Sequence, residues 1–167
     1  LVVPLRAETV LPNPGIVSLI WTVNSLIVIF VQTPLSKRFT AKVHPLHALA
    51  AGSFFLGAGL GSVYFSTHFY SLLFSGVLFI IGEMLIVPTI DATVSQLGTA
   101  QQLGLLFGIT NFVAGLGESA GKYAGSRLLS LGGASSYVPY LVFVIAALAI
   151  AGMMMLLRRW KPMRSLN

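Results

Sequence analysis

Five apolar stretches constrain this chain more than any other feature. They cover residues 15–34, 45–66, 70–94, 103–131 and 137–157. A helix needs about 20 mostly apolar residues to cross the hydrocarbon core of a bilayer, so each stretch is long enough to span it. Charged residues make up only 8% of the 167 positions, whereas a soluble domain carries roughly a quarter. We therefore predict an all-α, polytopic bundle of about five transmembrane helices, with the lipid bilayer as its solvent.

The connections between the stretches are short, so successive helices should be antiparallel neighbours. We interpret residues 15–157 as one transmembrane bundle. Residues 1–14 are then an external segment or the end of a preceding helix, and residues 158–167 a basic cytoplasmic tail. No linker or low-complexity tract marks a second domain.

The net charge of +6 favours a membrane topology over nucleic-acid binding, because the cations are clustered beside apolar runs. Cytoplasmic loops of membrane proteins carry an excess of Lys and Arg. Seven of the ten cations fall in two such places: Lys37, Arg38 and Lys42, and Arg158, Arg159, Lys161 and Arg164. This bias predicts a multi-pass protein of the inner (plasma) membrane with a cytoplasmic C-terminus and no nucleic-acid partner.

Polar side chains in the first stretch lie on one helical face. The residues concerned are Ser18, Thr22, Ser25 and Gln32. Steps of three, four and seven residues return to the same side of a helix. Such a stripe at membrane depth faces protein or water, so it either forms interhelical hydrogen bonds or lines a cavity. Asn24 lies on a different face and would pack elsewhere.

Glu83 interrupts the apolar third stretch, and Pro88 follows five residues later. A charged carboxylate near the middle of a membrane costs at least roughly 2.5 kcal/mol, so this side chain should be protonated, paired or hydrated. We expect a proton or substrate site here; the alternative is a carboxyl satisfied by neighbouring helices. Asp91 is nearer the end of the stretch and should be interfacial.

The fourth stretch places Asn111, Glu118 and Lys122 on one helical face. Glu118 and Lys122 have the i,i+4 spacing in the favourable order. Two interpretations stay open: a buried pair that neutralises itself, or a pair that protonation of Glu118 would release.

Glycines at four-residue intervals occur in two stretches and allow close helix packing. In the second stretch these are Gly57 and Gly61. In the fourth they are Gly117, Gly121 and Gly125.

Enzymatic chemistry finds no support in the sequence. There are no cysteines, and the spacing of His44, His47 and His68 matches no metal site. Phosphate-binding loops, nucleophile elbows and zinc-protease motifs do not occur. We expect no catalytic residues, no metal and no cofactor, with the histidines at the membrane interface.

The order and spacing of three motifs resemble the second half of a major facilitator transporter, particularly the drug:proton antiporters. Residues 21–35 are similar to the family's eighth helix, with Asn24 and with Gln32 before a Pro-Leu pair. Residues 35–42 are similar to the degenerate second copy of its loop motif, with Lys37 and Thr40 in place of the motif's Asp and second Gly. The matching positions of this loop motif are Leu35, Arg38 and Lys42.

The third motif, Gly82-Glu83-Met84 followed by Pro88, resembles the family's tenth helix. The chain would then supply helices eight to twelve and a remnant of the seventh. One departure is Gly117-Glu118-Ser-Ala-Gly121-Lys122 where the family has Gly-Pro-x-x-Gly-Gly.

The resemblance implies secondary active transport by alternating access, with two six-helix halves rocking about a central site. The N-terminal half of the same transporter, a small organic substrate and protons would be the partners, and we expect proton-coupled export. A nutrient importer of the same fold is an alternative, as is a non-transporting membrane subunit or sensor. Convergence of the polar faces of the first, third and fourth helices on one cavity would favour a transporter.

Overall fold

Five long helices make up the protein, as seen in a computed structural model that describes residues 14–132 and 137–158. They are α1 (Pro14–Lys42), α2 (Pro45–Tyr64), α3 (Phe69–Leu97), α4 (Leu103–Gly132) and α5 (Val138–Leu157). Each contains a window that is long and apolar enough to cross a membrane. The predicted all-α bundle of five transmembrane helices is confirmed.

The end of α1 differs from the prediction, because the helix continues through Pro34 to Lys42. The segment expected to be a cytoplasmic loop is therefore helical from Leu35 onward; the side chains of Arg38 and Lys42 lie outside the described residues. A proline removes only one backbone donor, which transmembrane helices tolerate. With 29 residues, α1 is about 43 Å long, which exceeds the hydrocarbon core of about 30 Å. Its polar end can thus remain helical beyond the apolar window Ser18–Leu35.

Glycines let α2 approach two helices at once. On one face, a Cβ added at Gly59 would lie 2.6 Å from the backbone nitrogen of Phe79 in α3. On the other face, added Cβ atoms at Gly57 and Gly61 would each lie 2.6 Å from side-chain carbons of α5. The sequence-based prediction that Gly57 and Gly61 pack closely against another helix is confirmed.

The apolar core joins four helices at one end of the bundle. It consists of Ile20, Val63, Leu72 and Tyr140, one each from α1, α2, α3 and α5. Hydroxyls lie beside it where α2 meets α3, and those of Ser66 and Ser75 are buried: Ser75 Oγ is 2.8 Å from Ser62 Oγ and 3.2 Å from Ser66 Oγ. Hydrogen bonds between hydroxyls satisfy polar groups that have no access to water, so they hold these helix ends together.

Helix α4 packs least. Added Cβ atoms at Gly117 and Gly121 would meet nothing within 4 Å, and one at Gly125 would lie 3.2 Å from Phe143 of α5. The predicted close-packing ridge of α4 therefore makes one contact in the described part of the chain, at Gly125. The reason is geometric: α4 touches α3 and α5 only sparingly, and Gly117 and Gly121 face an open space between the helices.

We predict that Gly59→Ala lowers stability by about 1–3 kcal/mol, because the new methyl group would collide with the backbone of α3 and not with a flexible side chain. Thermal unfolding in detergent measures the loss. Gly152→Ala is the matched control, since a Cβ there meets nothing within 4 Å. Equal melting temperatures for the two variants would contradict the close approach of α2 and α3.

Candidate functional site

A cavity of about 760 Å³ lies between the helices and receives side chains from all five. Its wall is formed by Trp21, Asn24, Leu56, Leu60, Gly76, Phe79, Ile80, Glu83, Gly117, Glu118, Gly121, Lys122, Gly125 and Phe143. The wall is mostly apolar, with one amide and three ionisable groups. A volume of this size falls within the range of about 300–1,000 Å³ that is typical of small-molecule sites.

Helix α3 contributes one continuous stripe to this wall. Gly76, Phe79, Ile80 and Glu83 follow one another at steps of three, one and three residues, which keeps them on one face of the helix. Glu83 is exposed on the cavity side and has no hydrogen-bond or ion-pair partner among the described residues. The carboxyl group is therefore available to a ligand or a proton.

Helix α4 contributes an ion pair. Lys122 Nζ lies 2.5 Å from Glu118 Oε1, and about two thirds of each side chain is exposed. The i,i+4 spacing lets the two charges neutralise each other on a single helix, without help from the rest of the bundle. The sequence-based expectation of a pair is met, but its members are exposed at the cavity and not buried.

Helix α1 contributes Trp21 and Asn24. Asn24 is 96% buried, and its side chain lies over Gly76 of α3: a Cβ added at Gly76 would be 2.9 Å from Asn24 Nδ2. Its Oδ1 has no hydrogen-bond partner in the described part of the chain. A buried acceptor without a donor costs about 1–3 kcal/mol. A ligand or water that donated a hydrogen bond to Oδ1 would recover that free energy.

Aromatic rings form much of the remaining wall, namely Trp21, Phe79 and Phe143. Together with Leu56, Leu60 and Ile80 they provide apolar surface for the body of an organic molecule. The polar groups sit at separate levels. Gly76, beside Asn24, and Glu83 are two helical turns, or about 10 Å, apart along α3. The site can thus bind an apolar body and recognise polar groups at more than one point.

Four of the residues proposed from the sequence as proton or substrate candidates converge on this cavity: Asn24, Glu83, Glu118 and Lys122. Two others, Gln32 and Asn111, are not part of its wall. The polar faces of α3 and α4 therefore line the same cavity, whereas α1 contributes a face other than the predicted polar stripe.

The stripe of Ser18, Thr22 and Ser25, proposed as cavity lining, does not line this cavity. All three residues are exposed on another side of α1. Thr22 Oγ1 donates a hydrogen bond of 3.0 Å to the Ser18 carbonyl oxygen, four residues earlier. A hydroxyl can be satisfied by its own helix in this way, so neither a cavity nor a neighbouring helix is needed to explain Thr22.

Sequence reasoning missed the aromatic wall. Phe79 has the helical spacing that places it beside Glu83, but apolar residues are frequent throughout α3 and the signal is weak. Trp21 lies three residues before Asn24, which is the same face of α1. The position of Phe143 depends on how α5 packs and has no counterpart in the sequence pattern.

Comparisons with known proteins give one informative similarity. The chain is 25% identical over 146 residues to an uncharacterized MFS-type transporter, YqjV, of Bacillus subtilis (strain 168). The alignment covers 87% of this chain and 35% of that protein, so the chain spans about a third of the relative's length. No protein-family model and no solved structure gives a significant match. The similarity and the five apolar helices support a multi-pass membrane protein with transporter-like helices.

We predict that Asn24→Leu stabilises the protein by about 1–3 kcal/mol, because it removes a buried acceptor without a partner and keeps a side chain of similar shape. The same change should weaken ligand binding in the cavity. Thermal unfolding without ligand measures the stability. Thr22→Val is the control and should change stability little, since its hydroxyl bonds only to its own helix. A destabilised Asn24→Leu variant would show that Oδ1 has a partner.

Proposed function

We propose that this chain forms part of a secondary active transporter whose substrate passes through the cavity between α1, α3 and α4. The observation that carries the proposal is the convergence of Asn24, Glu83 and the Glu118–Lys122 pair on one space with apolar walls. A polar or ionisable group at membrane depth is costly and is retained mainly where it serves transport or pairing. The similarity to an MFS-type transporter supports the same function.

Glu83 is the proposed proton-coupling residue. It lies in an apolar span, it faces the cavity, and it has no cationic partner in the described part of the chain. A carboxyl group in that position can exchange a proton for a substrate group without breaking an existing contact. Glu118 offers a second, different step, because protonation of its carboxylate would release Lys122 from their pair.

Small organic compounds are the proposed substrate class, and export the proposed direction. The aromatic and aliphatic wall suits a molecule with an apolar body, and the volume suits one of modest size. Export is supported by the resemblance to drug:proton antiporters, whereas import of a nutrient would use the same fold and cavity.

Alternating access requires two halves, and this chain corresponds to about a third of the length of its relative. We propose that an N-terminal half of the same transporter covers the open side of the cavity, where α4 is least packed. The clusters of Lys and Arg support a cytoplasmic C-terminus in an inner (plasma) membrane.

Replacing Glu83 with Gln in the complete protein should reduce proton-driven transport to background while the protein remains folded, because the amide keeps the size of the side chain but cannot bind or release a proton. Transport into proteoliposomes under an imposed pH gradient, together with thermal unfolding, provides the measurement.

Asp91→Asn is the matched control. Asp91 is on the same helix, about 12 Å further along, exposed and outside the cavity wall. Its variant should transport normally. Wild-type transport by Glu83→Gln would refute the coupling role, and an equal loss in both variants would show that any carboxyl on α3 matters, whether or not it faces the cavity.

A further inference from the structure

The first turn of α2 and the end of α5 meet in a contact between two basic side chains. Arg158 Nη1 lies 2.6 Å from His47 Nε2. His44, the N-cap residue of α2, lies beside them, with its ring 6.1 Å from the His47 ring and nearly edge-on to it. None of these residues belongs to the wall of the cavity between the helices.

The chemistry of this contact fixes which groups donate. A guanidinium has only donors and stays protonated, so Arg158 must donate and His47 Nε2 must accept. A neutral imidazole that accepts at Nε2 carries its hydrogen on Nδ1, so His47 presents a second donor on the other side of its ring. His44 Nδ1 accepts the backbone N–H of Leu46 at 3.2 Å, which in turn places its ring hydrogen on Nε2.

In the described part of the chain no carboxylate forms an ion pair with Arg158, since the ion pair found there joins Lys122 and Glu118. The guanidinium is exposed, and a single bond to His47 uses one of its five N–H groups. The nearby acceptors, His47 Nε2 and His44 Nδ1, already receive hydrogen bonds. The positive charge of Arg158 and its remaining N–H donors are therefore complementary to an oxyanion.

The position of the cluster formed by Arg158, His47 and His44 indicates which kind of molecule carries that oxyanion. The membrane window of α2 begins at Pro45, directly after His44, and that of α5 ends at Leu157, directly before Arg158. Each of these two helices has 20 residues and is about 30 Å long, which equals the thickness of the hydrocarbon core, so a cluster at their ends lies at the depth where lipid phosphates begin. Next to it, Met155 and Leu156 of α5 expose apolar side chains, along which an acyl chain can lie.

We propose that Arg158 and His47 form a binding site for the phosphate of an anionic phospholipid, with the lipid lying along the exposed face of α5. The planar fork of Arg158 binds two phosphate oxygens, while its bond to His47 orients the guanidinium and links α5 to α2. The site is distinct from the cavity and does not depend on the transport function proposed above.

Binding of phosphatidylglycerol and of phosphatidylcholine to the complete, detergent-purified protein tests this proposal, with native mass spectrometry as the readout. The wild-type protein should bind phosphatidylglycerol more tightly than phosphatidylcholine. Arg158→Gln should lower the affinity for phosphatidylglycerol about tenfold, since a charge-assisted hydrogen bond is removed. Binding of phosphatidylcholine should change less.

Two matched variants separate a defined site from general attraction to a basic surface. Lys161→Gln removes the same charge three residues along the chain, and Arg127→Gln removes an exposed guanidinium that stacks on Tyr123 in α4. Both should keep most of the affinity for phosphatidylglycerol. A loss in Lys161→Gln equal to that in Arg158→Gln would overturn the proposal in favour of diffuse electrostatics.

Two measurements on the wild-type protein need no variant. Phosphatidylglycerol, but not phosphatidylcholine, should slow hydrogen–deuterium exchange in residues 44–50 and 152–158; unchanged exchange in both segments would overturn the site. Glycerol phosphate should compete poorly, because it lacks acyl chains. Displacement of the lipid by equimolar glycerol phosphate would identify a site for a soluble anion and refute a lipid site.

Discussion

Close backbone approach by α2 is the contact on which the bundle depends. Lipid tails are as apolar as leucine, so helices in a bilayer gain little from burying apolar side chains against one another, and their association rests on packing and polar contacts. Helix α2 meets that requirement on two faces, with Gly59 against α3 and with Gly57 and Gly61 against α5. The cavity exists because α4 has no equivalent contact along most of its length: Gly117 and Gly121 face open space, and the volume between α4 and α3 stays unfilled.

The same solvent explains how the polar side chains are satisfied. Hydroxyl groups bond across the α2–α3 interface, as Ser62 and Ser75 do, or back to their own helix, as Thr22 and Thr110 do. The carboxyl of Glu83 and Asn24 Oδ1 form neither kind of hydrogen bond and have no partner among the described residues. Both side chains belong to the wall of the cavity, and this coincidence gives the space its chemical character.

Much of the fold could be predicted from the sequence, because a bilayer imposes a length and an apolar composition on every span. The close packing of Gly57 and Gly61 could likewise be predicted from their spacing, whereas the contact of Gly59 with α3 could not. The helix that each glycine contacts could not be predicted. For that reason all three glycines of the α4 ridge were expected to pack closely, although Gly125 is the one that does. The helical continuation of α1 to Lys42 was not predicted, because Pro34 and the cations after it are typical of a loop, although they also fit a helix that extends past the hydrocarbon.

The charged residues of the candidate site could be predicted from the sequence, but the shape of the cavity could not. Glu83, Glu118 and Lys122 stand out because charge is rare in an apolar span, whereas aromatic wall residues such as Phe143 are recognisable only once the helices are packed.

The arrangement of those charges bears on how the cavity can work. Glu118 and Lys122 neutralise each other within one helix, so α4 brings no net charge to the wall and can shift without separating a pair between helices. Among the described wall residues, Glu83 is the ionisable group left without a counter-ion, and it is carried by α3, the helix packed most closely on α2. The net charge of the cavity wall therefore depends on the single carboxyl of Glu83 on a well-packed helix, opposite a helix whose two charges neutralise each other.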